Sequence, residues 1–189
     1  MREYGGKVRH TLLSEKPRND SFLVALFSVM LILAFSVFCW NQGREVYSFA
    51  AGIPTEVIDG GEAWRLLTAI FLHADLRHFL SNAVLFLVFS YLIYGYFGFW
   101  LYPVAILLLG AVTNYLSLWT YYPAEIRLVG ASGVVYLMAG FWLMIYLLVE
   151  RRHTLKKRLL HAVGWAMIVL VPSALYQNVS YRTHLIGFL

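Results

Sequence analysis

Long apolar runs, interrupted by short polar segments, dominate this chain and determine its predicted elements. A helix that crosses the hydrocarbon core of a bilayer needs about 20 predominantly apolar residues. Five runs approach that length, and a sixth begins near the last residue of the sequence and is cut short. The predicted spans are 21–40, 79–96, 97–119, 132–149, 159–176 and, incomplete, 183–189.

Composition narrows the class of protein further. Of the 189 residues, 60% are hydrophobic and only 13% are charged, whereas soluble domains carry about 25% charged residues. The sequence therefore predicts an all-α polytopic membrane protein without a soluble domain of ordinary size. A single cysteine, Cys39, lies within an apolar run, which excludes a disulfide framework and a cysteine-based metal site.

The positive charges are concentrated in two segments that fall on the same side of the membrane when five spans alternate. Segment 1–20 carries five Lys or Arg residues and loop 150–158 carries five more, out of 15 in the chain. Because cytoplasmic loops are enriched in Lys and Arg, we predict that segment 1–20 is cytoplasmic. This distribution accounts for the net charge of +5 without nucleic-acid binding, and we expect no nucleic-acid partner.

Segment 41–77 is too polar to span the membrane, yet it contains the apolar stretches EVYSFAAGIP and AWRLLTAIFL. We interpret it as an outer, interfacial element with short helices. Tyr47 and Trp64 suit that depth, because amphipathic aromatic rings favour the membrane–water interface.

Three polar residues in HADLRHFLSN mark the start of the second span. His78 and Asn82 are four residues apart and share one helix face, whereas His73, five residues before His78, lies off that face. His78 and Asn82 can together present donors to a tetrahedral oxyanion, or can form an ordinary hydrogen-bonded pair between helices. The motif lacks the H-E-x-x-H pattern, so we predict no metal site.

Ser132, in LVGASGVVYL, begins the fourth span. The small residues around it favour close helix packing, in which the serine bonds its own backbone. Alternatively, Gly130 permits a turn with positive φ, and a serine at a helix N-terminus lies beside free N–H groups that can hold an oxyanion. In this second interpretation Ser132 is a nucleophile, which needs a base.

His184 is the candidate base, because the predicted topology places it on the outer side at about the depth of Ser132. The alternative is an interfacial histidine without a chemical role. The predicted spans contain no Asp or Glu, so we expect a serine–histidine dyad rather than a three-member triad. Together with His78 and Asn82, the dyad would form a set suited to acyl transfer.

The ordered motifs resemble those of the rhomboid family of intramembrane serine proteases. HADLRHFLSN has the H-x4-H-x3-N form of their second helix, GASGVVY resembles their G-x-S-G-x-x-Y nucleophile motif, HLIG the H-x-x-G of their last helix, and AWR the W-R of their first outer loop. Order and spacing agree across roughly 21–189. The layout is similar to the bacterial, GlpG-type bundle of six helices, here with its last helix apparently truncated.

The resemblance implies a role for each matching residue. Ser132 would be the nucleophile, and His184 its general base and then acid. His78, Asn82 and the turn at Gly130, with the Ser132 N–H, would bind the oxyanion. The supporting residues would be Tyr136, which stacks on His184, and His73, Trp64 and Arg65 of the outer loop and upper pocket.

The resemblance also implies transmembrane protein substrates that are cleaved near the outer surface, a lipid bilayer as surroundings, and no cofactor. A location in the bacterial inner membrane follows from it. Two features depart from the family pattern. Tyr94 stands where many relatives carry a glutamate, and the short last span suggests an incomplete sequence.

Two other functions stay open at this point. A non-catalytic relative would bind transmembrane clients and steer their turnover, although such proteins usually lack the serine or the histidine. A small transporter would normally line a path with charges, yet the predicted spans hold no acid or base beyond histidine.

Overall fold

The computed structural model describes residues 12–150, 153–175 and 180–189. Within these ranges the chain forms nine α-helices and no strand, which confirms the predicted all-α class. The helices are α1 (Ser21–Gln42), α2 (Arg44–Ala50), α3 (Pro54–Ile58), α4 (Arg65–Phe71), α5 (Leu76–Phe97), α6 (Ile106–Tyr121), α7 (Ser132–Val149), α8 (Leu155–Leu175) and α9 (Tyr181–Phe188).

Four helical stretches in the described ranges are long and apolar enough to cross a membrane, namely α1, α5, Trp100–Tyr121 and α7. Stretch Trp100–Tyr121 joins α6 to a preceding segment, Trp100–Ala105, that is kinked at Tyr102, where the backbone is extended, and contains Pro103. Proline lacks an N–H and interrupts the regular hydrogen bonding of an α-helix. These stretches define a polytopic, integral membrane protein.

The predicted count of six spans stays a prediction. α8 overlaps the predicted span 159–176 but carries Lys156, Lys157 and Arg158 in its first turn, and α9 has eight residues. Parts of three predicted segments lie outside the described residues, namely residues 1–11, 151–152 and 176–179.

Local sequence signals determine where α5 begins and ends. The Asp75 carboxylate accepts a hydrogen bond from the His78 N–H at 2.7 Å and caps the helix, as acidic N-cap residues commonly do. As a result α5 begins at Leu76, three residues before the predicted span. At its other end the chain leaves the helix at Gly98, whose φ is +76°.

Tyr94 makes a tether near the end of α5. Its hydroxyl donates to the Asp20 carboxylate at 2.8 Å, and this hydrogen bond lowers the pKa of Asp20. The segment that precedes α1 is thereby held against α5.

Between α1 and α5 the chain forms the short helices α2, α3 and α4, and Arg65 holds this element together. Its predicted position on the outer side stays a prediction. The Arg65 side chain is buried, and Nη1 donates to the backbone carbonyls of Ser48, Phe49 and Ala51 at 2.6, 2.6 and 3.0 Å. Trp64 is 44% exposed and packs against the ring of Phe49. The guanidinium thus donates hydrogen bonds to carbonyls at the end of α2 that would otherwise lack partners.

α7 lies at the centre of the bundle and packs against α5, α6 and α9. A β-carbon on Gly110 of α6 would lie 2.5 Å from Cγ2 of Val134, so these two helices approach through a small residue. Large apolar side chains such as Trp100 and Ile168 point outward and are more than two-thirds exposed, at 79% and 74%. Such a surface suits lipid as the surrounding solvent.

Candidate active site

Ser132 is the first residue of α7 and is largely buried. The chain turns into the helix at Gly130, whose φ is +114°, a conformation that glycine permits. A β-carbon at Gly130 would lie 2.8 Å from Cε1 of His78. Glycine is therefore required twice, for the backbone conformation and for the close approach of an imidazole ring.

His184 lies on α9, is 4% exposed, and stacks on Tyr136 with the ring centroids 4.1 Å apart and 10° between the planes. Tyr136 is one turn after Ser132 on α7, and its hydroxyl donates to the Val169 carbonyl of α8 at 3.1 Å. The stacking contact that the family resemblance implies is thus present. It holds the plane of the imidazole against the first turns of α7.

Glycines bring the backbones of α7 and α9 into close contact beside the two candidate residues. A β-carbon on Gly187 would lie 2.5 Å from the carbonyl oxygen of Gly133, and one on Gly133 would lie 3.0 Å from Cγ2 of Thr183. Since Gly133 follows Ser132 and Thr183 precedes His184, this contact places the serine and the histidine at the same level of the bundle.

Neither ring nitrogen of His184 has a hydrogen-bond partner among the described residues, so no hydrogen bond joins it to Ser132. An unpaired buried polar atom costs about 1–3 kcal/mol and is rare in native proteins. Catalytic hydrogen bonds are often long in substrate-free structures and shorten when substrate binds. That His184 exchanges a proton with Ser132 stays a prediction.

His78 and Asn82 lie beside the start of α7, on the first turns of α5. The His78 ring packs against Gly130. The Asn82 side-chain amide donates one hydrogen to the His78 carbonyl at 3.1 Å, which leaves its second hydrogen for another acceptor. Their role as donors to an oxyanion stays a prediction.

His73 and His78 do not share a helix face, because α5 begins at Leu76 and His73 lies in the connection before it. Their rings nevertheless meet edge-on, with the centroids 5.2 Å apart, a contact that the spacing of the two residues did not indicate. His73 is fully buried; its Nε2 accepts the Ala131 N–H at 3.3 Å, and its Nδ1 lies 3.3 Å from the Ser36 hydroxyl. His73 therefore links α1 to the residue before Ser132.

Acidification is expected to destabilise the protein through His73. Burial lowers the pKa of His73 to about 4, below the value of about 6.5 in an unfolded chain. The unfolded state then binds more protons between these values, so stability present above about pH 6.5 is lost as the pH falls towards 4, by up to about 1.4 kcal/mol per pH unit. In His73→Gln, whose amide oxygen can still accept the Ala131 N–H, the free energy of unfolding should depend less on pH in this window. Equal slopes for the two proteins would contradict this expectation.

Buried polar residues on α6 were missed in the sequence. Thr113, Asn114 and Ser117 are all buried, and the Asn114 amide donates to the Leu66 carbonyl at 2.9 Å. The Ser117 hydroxyl bonds to that of Thr183. In a sequence such residues cannot be distinguished from the small and polar residues that pack membrane helices together. The available signal was the spacing of Thr113 and Ser117 by four residues, which puts both on one helix face.

The substitution Gly187→Ala is expected to push α9 away from α7, because the new β-carbon would lie 2.5 Å from the Gly133 carbonyl oxygen. Overpacking of this kind costs about 1–3 kcal/mol, so the thermal unfolding midpoint should fall by roughly 2–12 °C. Gly164→Ala on α8 is the matched control, since nothing lies within 4 Å of its new β-carbon; its midpoint should be unchanged or higher. Equal midpoints for the two variants would contradict the close contact of α7 and α9.

Apolar helices, with a buried serine at the N-terminus of α7 and a buried histidine on α9, which packs against α7, define a polytopic membrane protein with a candidate acyl-transfer site. The model of the Rhomboid domain matches residues 60–189, and the chain belongs to the rhomboid family, as the motifs predicted. A protein of Bacillus subtilis (strain 168) named "Putative rhomboid protease YdcA" is 26% identical over 178 residues, which cover 88% of this chain and 81% of that protein.

Proposed function

We propose that this protein is an intramembrane serine endopeptidase in which Ser132 and His184 form a catalytic dyad. The observation that carries the proposal is the buried His184 imidazole, which has no hydrogen-bond partner within the described ranges and stacks one turn after Ser132. Membership of the rhomboid family and a relative named as a rhomboid protease support the same chemistry.

In the first step the Ser132 oxygen attacks the scissile carbonyl carbon while a ring nitrogen of His184 takes the hydroxyl proton. The carbonyl electron pair moves to oxygen, and the oxyanion accepts hydrogen bonds from the Ser132 N–H, the His78 ring and the Asn82 amide. When the intermediate collapses, the C–N bond breaks and His184 gives its proton to the leaving amine. Water then attacks the acyl ester with His184 as base, which releases the acid fragment and restores Ser132.

The substrates are transmembrane segments of other proteins, which reach the site from the lipid. A helical segment satisfies its backbone hydrogen bonds internally, so it must unwind locally before one of its carbonyls can meet Ser132. With segment 1–20 in the cytoplasm, the start of α7 lies towards the outer surface of the bacterial inner membrane. Cleavage is therefore expected near that surface, where water is available for the second step.

The test is cleavage in proteoliposomes by the full-length chain. The substrate is a reporter with one transmembrane segment and a different tag at each end. Mass spectrometry should find two fragments that meet at one bond within or beside the segment, and a chelator should leave the rate unchanged. Absence of cleavage across a panel of reporters would contradict the proposal. If the protein alters the level of a client equally well after Ser132→Ala, the non-catalytic alternative is favoured.

A further inference from the structure

The outer ends of α6 and α9 are joined by a chain of hydroxyl groups. The Tyr121 hydroxyl lies 3.2 Å from that of Ser180, which bonds to the Thr183 hydroxyl, and this in turn bonds to Ser117 on α6. The Arg182 guanidinium lies over the Tyr121 ring, 4.7 Å from its centroid. Three consecutive hydroxyl contacts, with the Arg182–Tyr121 contact beside them, thus link the first turn of α9 and its N-cap to the last two turns of α6.

The inner half of this chain is closed off from solvent. Ser117 is 0% exposed and Thr183 is 2% exposed. The Ser117 hydroxyl bonds to Thr183, whereas the Thr183 hydroxyl also bonds to Ser180. A buried hydroxyl that loses a partner keeps the cost of its desolvation. The Ser117–Thr183 hydrogen bond is therefore sensitive to a small rotation or axial shift of α9.

Packing alone does not account for the hydroxyl of Thr183. Its Cγ2 atom fills the space beside Gly133, 3.0 Å from the position of a β-carbon there. A valine would supply the same methyl group and a second one in place of the oxygen. The oxygen adds only the bonds to Ser117 and Ser180, which are directional where methyl contacts are not.

His184 follows Thr183 directly, and no acid among the described residues is hydrogen-bonded to its ring. In serine–histidine–aspartate enzymes a buried carboxylate holds the imidazole in its orientation, whereas both ring nitrogens of His184 lack a partner in the described part of the chain. The stack on Tyr136 fixes the plane of the ring, but parallel rings can still slide over each other. Another contact must therefore fix the axial position and the rotation of α9 relative to the neighbouring helices.

We propose that Ser117 and Thr183 are positioning residues that set the register of α9 on α6 and so bring the His184 ring to Ser132. The inference rests on the proposed protease function. In a triad the carboxylate orients the imidazole directly. Here the hydrogen bond between the two hydroxyls fixes the position of the α9 backbone, and this backbone positions the imidazole. Neither hydroxyl touches the substrate.

The experiment compares Thr183→Val, which keeps the shape and loses the oxygen, with Thr183→Ser, which keeps the oxygen and loses the methyl group. Ser117→Ala removes the partner. The readouts are kcat and KM for a transmembrane reporter, with active sites counted by a fluorophosphonate so that unfolded protein does not contribute to the rate. Displacement of a catalytic group by about 1 Å can cost about 10²-fold.

Thr183→Val and Ser117→Ala should each lower kcat by about 10–100-fold, with KM within about twofold. Thr183→Ser should stay within about threefold of wild type, and the double variant Thr183→Val/Ser117→Ala should be no slower than the slower single one, since both remove the same bond. A wild-type kcat in Thr183→Val, or an equal loss in Thr183→Ser, would overturn the positioning role while the protease function stands. A wild type that neither cleaves nor reacts with the probe would overturn the protease function, and the positioning role with it.

Discussion

Replacing Ser132 by alanine is expected to lower kcat for a transmembrane reporter by roughly 10⁴–10⁶-fold, because no other group can form the acyl intermediate at this site. Stability should hardly change. Among the described residues the Ser132 hydroxyl has no hydrogen-bond partner to lose, and alanine is a good helix former. The measurement is initial cleavage rate in proteoliposomes, with the thermal midpoint recorded for the same preparation.

Ser90→Ala is the matched control for Ser132→Ala. Ser90 is fully buried on α5, and its hydroxyl donates to the Phe86 carbonyl of its own helix, so its loss removes a buried hydroxyl without touching the site. This control should cleave within about threefold of wild type. Residual activity above about 1% in Ser132→Ala, with normal product, would exclude Ser132 as the nucleophile.

Replacing His184 by alanine is expected to lower kcat by at least about 10³-fold, since Ser132 then has no base to take its proton. Some loss of stability should accompany this change, because the Tyr136 ring loses its stacked partner and a cavity opens between α7 and α9. His161→Ala is the control, since His161 is exposed on α8 and its substitution should leave the rate unchanged.

The combination of both substitutions distinguishes a dyad from two independent residues. Groups that act as one unit give losses that do not multiply. The double variant Ser132→Ala/His184→Ala should therefore cleave no more slowly than the slower single variant. A rate lower by the product of the two individual factors would show that the two residues act separately.

Features that depend on local pattern were predictable from the sequence. Apolar runs indicated the positions of α1, α5 and α7, and the start of α7 at Ser132 follows from the glycine-flanked turn that precedes the run. The positive φ of Gly130 follows from the same motif. Each of these features is encoded within a few neighbouring residues, so hydropathy and turn chemistry suffice.

Features that depend on contacts between distant segments were not predictable. The contact between the His73 and His78 rings was not indicated by their spacing, because His73 lies in the connection before the N-cap at Asp75 and not on α5. The Tyr94–Asp20 hydrogen bond joins residues 74 positions apart, and the bond between Ser117 and Thr183 joins residues 66 apart. No periodicity within one helix specifies which hydroxyl of another helix it will face.

The most direct test of the central claim is labelling of the folded protein with a fluorophosphonate, followed by peptide mapping. Such probes react with serines whose proton a neighbouring base removes. We predict a single adduct, on Ser132, which disappears in His184→Ala and in protein unfolded before the probe is added. A preparation that cleaves its reporter but carries no adduct on Ser132, or that is labelled there equally well without His184, would contradict the account.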